Sequence, residues 1–80
     1  RAVALKEQFK TLQTMTTGDT VIEVESTEPS IAGKFKIVSS KQLRGRFGQI
    51  VLGLVSVETG ESQELWSYRH SGVITRISVL

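Results

Sequence analysis

The sequence predicts a mainly β fold, in which an N-terminal helix precedes five short strands that form a strongly bent antiparallel meander closing into a small barrel. Three observations carry this. The apolar period changes from helical to two after about residue 18. Short β-branched or aromatic runs are then separated by glycine-bearing turns. The last run, residues 65–80 (LWSYRHSGVITRISVL), reads as two strands reversing at Ser71-Gly72. Eighty residues make a single domain, 1–80, which on its own buries only about 60% of its unfolded surface, so association with further copies would add burial.

Residues 3–15 place Leu5, Phe9 and Leu12 on one stripe with Val3 and Met15 close by, while Lys6, Glu7, Lys10 and Gln13 fall elsewhere. This is a short amphipathic helix. Its polar face is not strongly basic, which favours packing on a core over lying on a membrane. Thr16-Thr17-Gly18 ends it, and residues 20–80 supply the barrel. The helix is too large for the interior and is expected to cap one open end. Residues 20–25 alternate with Ile22 and Val24 inward. Residues 26–30, with the single proline, Pro29, form a turn. Residues 31–38 put Ile31, Gly33, Phe35 and Ile37 on one face and Lys34 and Lys36 on the other. Residues 39–48 read as a loop or extended hairpin tip, and 50–57 as a central strand covered on both sides. Glu58-Thr59-Gly60-Glu61 turns into the final pair, where Trp66, Tyr68 and His70 share a face. Val73, Ile77 and Val79 alternate with Ile74 and Leu80, so the last strand is apolar on both faces and needs a neighbour.

Cysteine is absent, which removes disulfides, thiolate metal sites and cysteine nucleophiles and fits a reducing, cytoplasmic setting. No apolar run reaches the roughly 20 residues of a membrane span, and no signal-peptide pattern is visible. The first residue is Arg1, so an initiator or short leader is expected to precede it. Net charge is +2 but uneven. Lys34, Lys36, Lys41, Arg44 and Arg46 cluster without acids, whereas Asp19, Glu23, Glu25 and Glu28 cluster without bases. The basic run suits either a solvated loop or a nucleic-acid backbone. One histidine, no nucleophile-elbow pattern and no phosphate loop point to a non-enzyme with no metal and no cofactor.

Tyr68-Arg69-His70, before the last strand, resembles the second signature of the Sm-like family, the LSm and Hfq-type proteins. Ile31-Ala32-Gly33-Lys34-Phe35, continued by Ile37 and Val38, resembles the first. The match covers essentially the whole chain in element order. Ser39 and Ser40 stand where the family carries an aspartate, and Ser56 and Glu58 stand near its asparagine, which marks a divergent member; a phage-type Sm-like protein is one form this could take. The resemblance implies a closed homo-oligomeric ring in which the last strand pairs with the fourth strand of the next copy. That interface would draw on Trp66, Tyr68, Val73, Ile74, Ile77 and Val79. It implies a pore loop, Tyr68, Arg69 and His70, binding single-stranded RNA, and a role as RNA chaperone or scaffold. The planar Arg69 can stack on a base, and His70 can stack, donate or accept. Lys41, Arg44 and Arg46 form a second, basic-loop set expected to meet phosphate. The alternative is a small-barrel interaction or assembly module of Tudor or KOW type with no RNA role, in which Tyr68 and His70 are structural.

Overall fold

The computed structural model describes residues 5–17, 19–45 and 48–80. Of the residues singled out above, Arg1, Val3, Gly18 and Arg46 lie outside the described residues. In chain order the elements are helix α1 (Leu5–Leu12), strand β1 (Val21–Ser26), a 3₁₀ turn (Pro29–Ile31), β2 (Gly33–Gln42), β3 (Ile50–Ser56), β4 (Ser62–Trp66) and β5 (Ile74–Val79). All strand pairs are antiparallel, in the order β4-β3-β2-β1-β5. One helix and five strands therefore occur in the expected order.

Closure does not occur. β4 and β5 lie at opposite edges and do not pair with each other, so the sheet is open rather than a closed barrel. The reason lies in the connection between them. Ser71-Gly72 is not a two-residue reversal, because residues 67–73 form consecutive turns closed by local backbone bonds. The His70 amide donates to Trp66 O (3.1 Å), the Ser71 amide to Tyr68 O (3.2 Å), and the Val73 and Ile74 amides to His70 O (3.0 and 3.1 Å). Strand β4 consequently stops at Trp66, and Tyr68 and His70 leave the strand face they were expected to share with it. At the far end, the Val73 carbonyl accepts from the Thr27 amide (2.9 Å) and the Ser26 hydroxyl (2.8 Å), which fixes the chain beside β1.

The core is one cluster. Ile22 and Val24 of β1, Phe35 and Ile37 of β2, Leu52 and Leu54 of β3, Leu65 of β4 and Ile77 of β5 meet Phe9 and Leu12 of α1. The apolar stripe of α1 thus covers the sheet's inner face, as the helical period requires. After Leu12 the helix tightens, with i→i−3 bonds from Thr14 to Thr11 O and from Met15 to Leu12 O; threonines here compete for backbone partners. The Cα radius of gyration is 11.6 Å, close to the ~12 Å expected of a folded chain of this length.

Residues 39–42 are strand rather than loop, since Ser39 to Gln42 pair with Gly53 to Ile50. These polar residues gain ladder bonds that no apolar pattern announces. A register shift between Ile37 and Ser39 marks a bulge that leaves Val38 exposed. The extra residue swaps the faces of β2, so Ser39 and Lys41 point outward while Ser40 reaches in and donates to Gln13 O (3.0 Å). Gly33 is required by its backbone and not by crowding. Nothing lies within 4 Å of the place its Cβ would occupy, but its φ is +126°, a conformation essentially confined to glycine.

Candidate nucleic-acid interface

The outer face of the sheet follows from the register. Trp66 pairs with Val51, and Val51 with Lys41, forming one row across β4, β3 and β2. Glu64, Gly53 and Ser39 form the next row. Strands lie about 4.8 Å apart, so Lys41 and Trp66 sit roughly 10 Å from each other on one face.

The 67–73 turns bring Arg69 and His70 back onto Trp66. The Arg69 guanidinium lies 4.0 Å from the centroid of the indole ring, within cation–π range. His70 Nδ1 accepts from the Trp66 backbone N–H at 2.9 Å. That bond requires the neutral tautomer with its proton on Nε2, which keeps one N–H donor on the ring. Burial holds the His70 pKa below its ordinary value; the Arg69 charge lowers it further, and Glu28 opposes both. The Trp66 indole N–H in turn donates to Glu64 Oε1 at 3.4 Å.

Gln49 was not singled out by the sequence, yet it joins the two expected binding segments. Its Oε1 accepts from the Tyr68 and Arg69 amides (3.3 and 3.1 Å), while its own carbonyl accepts from the Leu43 amide (2.7 Å). The hairpin between β2 and β3 is thereby fastened to the turn after β4. Nearby, the Ser67 hydroxyl accepts from the Ile50 amide at 2.9 Å. A lone polar residue beside an apolar strand carries no periodic signal, which is why Gln49 escaped notice.

Beside Trp66 an open cleft of about 500 Å³ is lined by Ser39, Gly53, Glu64, Trp66, Arg69 and His70, among others. Its floor is Gly53. A Cβ there would collide with the Ser39 side chain, which lies across it. A glycine inside an apolar strand is a recognised sign of close approach, and that signal was present in the sequence.

Tyr68 is exposed on the turn. Lys41 is exposed on β2, and Arg44 is exposed in the hairpin tip. Of the residues expected at a subunit interface, Ile77 is buried in the chain's own core, and Val73 and Ile74 pack against that core. Trp66 is half-buried, and Val79 is 55% exposed on the edge strand. Among the described residues no group of three or more His, Cys, Asp or Glu could hold a metal ion, and no helix is long and apolar enough to cross a membrane. Comparison of the chain with protein families, with curated proteins and with solved structures returns no match.

Proposed function

We propose that the chain binds single-stranded RNA on its outer face and acts, as a copy within a homo-oligomeric ring, as an RNA chaperone or scaffold. The supporting observation is the Arg69 guanidinium 4.0 Å over the Trp66 ring, with His70 bonded to the Trp66 backbone and Lys41 in the same row. Unstacked bases bind to aromatic and guanidinium planes, and neighbouring cations follow the phosphates. We assign no catalytic role. The ring reading draws on two open sheet edges, which pairing between copies would remove.

The test is fluorescence anisotropy with short uridine-rich and adenine-rich single strands. Arg69→Ala should weaken binding more than His70→Ala, and Arg69→Lys should recover part of the loss by restoring charge without the plane. Oligomer mass must stay constant across the series. If the wild-type protein binds neither strand at physiological salt, the RNA reading fails.

A second reading, a self-contained interaction module, has one observation in its favour. Both edges carry side-chain caps: His70 takes the Trp66 N–H on β4, and Gln8 Nε2 donates to Ile77 O on β5 at 3.2 Å. Capped edges are a device of sheets that do not pair further. A monodisperse monomer at micromolar concentration would select this reading over the ring.

A further inference from the structure

We propose that the cleft beside Trp66 reads guanine, with the Glu64 carboxylate as the discriminating group; this rests on the single-strand RNA reading. A carboxylate is out of place in a surface built only for phosphate, since like charge repels it. It suits a base edge that offers donors. An ionised carboxylate only accepts, through about four lone-pair directions. One weak contact from the Trp66 indole N–H, at 3.4 Å, leaves most of these open.

The four Watson–Crick edges differ in what they present to such a group. Guanine alone offers two adjacent donors, N1–H and N2–H, that fit a carboxylate bidentately. Adenine and cytosine place one donor beside an acceptor nitrogen, and uracil flanks its single donor with two carbonyl oxygens. The remaining groups of the cleft are complementary to guanine's other atoms. Arg69 and the Nε2–H of His70 are donors, and guanine's O6 and N7 are acceptors that suit arginine in particular. The Trp66 indole offers the base an aromatic neighbour, and the open cleft of about 500 Å³ leaves it room.

The experiment is anisotropy on the full chain with three short single strands of equal length: uridine only, adenine alternating with uridine, and isolated guanines alternating with uridine. Wild type should favour the guanine strand by about 5- to 150-fold, the range of one bidentate base contact. Replacing guanine by inosine, which lacks the N2 amino group, should remove most of that preference without altering the protein. Glu64→Gln should abolish the difference between guanine and inosine, while uridine-only binding should hold or strengthen, because a charge that repels phosphate is removed. Equal wild-type affinity for guanine and inosine strands overturns the guanine proposal and leaves the RNA reading standing. So does a Glu64→Gln loss that is the same for every strand at unchanged oligomer mass. Absence of binding to all three strands overturns both.

Discussion

His70 is the residue on which the site's geometry turns. Its imidazole must be neutral to accept the Trp66 amide, and burial together with Arg69 favours that form. The folded pKa lies below the unfolded one, so the contribution to stability is fully present above the unfolded value of about 6.5. It is lost as pH falls through the folded value. NMR titration of the His70 ring should give a midpoint below the ordinary histidine value, and the 67–73 turns should loosen on acidification. In His70→Gln that acid-dependent loosening should disappear. Gly33 tests a second local constraint. Gly33→Ala forces a side chain into φ +126°, at a cost of about 1–3 kcal/mol, readable as a lower urea midpoint with unchanged slope. Gly33 stands in the stretch that resembles the first signature, but its conformation was not legible in the sequence, because a backbone dihedral leaves no periodic trace.

Among the elements, those with a strong apolar period were the legible ones. The α1 stripe of Phe9 and Leu12, the inward Ile22 and Val24, and the alternation of Phe35 and Ile37 with Lys34 and Lys36 all stand where the pattern puts them. The polar end of β2 and the turn after β4 were not legible. Ser39 and Lys41 are held by ladder bonds and a bulge, and residues 67–73 by turn bonds, neither of which depends on hydrophobicity. The hairpin between β2 and β3 carries its own expectation. Replacing Lys41, Arg44 and Arg46 together by alanine should weaken RNA binding to a similar degree for all sequences and flatten its salt dependence. An unchanged salt slope would make the hairpin a solvated loop. Gly53→Ala probes the neighbouring strand. Only the Ser39 hydroxyl end stands in the way of the new methyl at close range, so rotation of that side chain should preserve the fold while the filled floor weakens RNA binding.

At the scale of the whole molecule, the decisive quantity is mass in solution. In the β1–β5 ladder the Leu80 amide bonds Val21 O, so by alternation the Val79 N–H faces the open edge. Val79→Pro therefore removes an edge donor without breaking a bond to β1, and Val79 is exposed enough to accept the ring. A ring closed through β5 should fall to folded monomer in this variant, as read by light scattering together with an unchanged circular dichroism spectrum. Retention of the wild-type mass would exclude β5 edge pairing. Truncation after residue 75 is the poorer test, because it also removes Ile77 from the core. Element order was open to sequence reasoning, but edge placement depends on a crossing connection that Ser71-Gly72 did not disclose.

The shared oxygen of Gln49 has a further consequence. Two successive amides, Tyr68 and Arg69, hang on one side-chain atom rooted at the base of the hairpin. Deuterium uptake at these two positions is therefore a gauge of how firmly the base of the hairpin is held, read some distance from its tip. An oligonucleotide that grips only the tip should slow exchange at both amides, although it touches neither. Gln49→Ala should uncouple the gauge, so that the amides exchange quickly whether or not the tip is occupied.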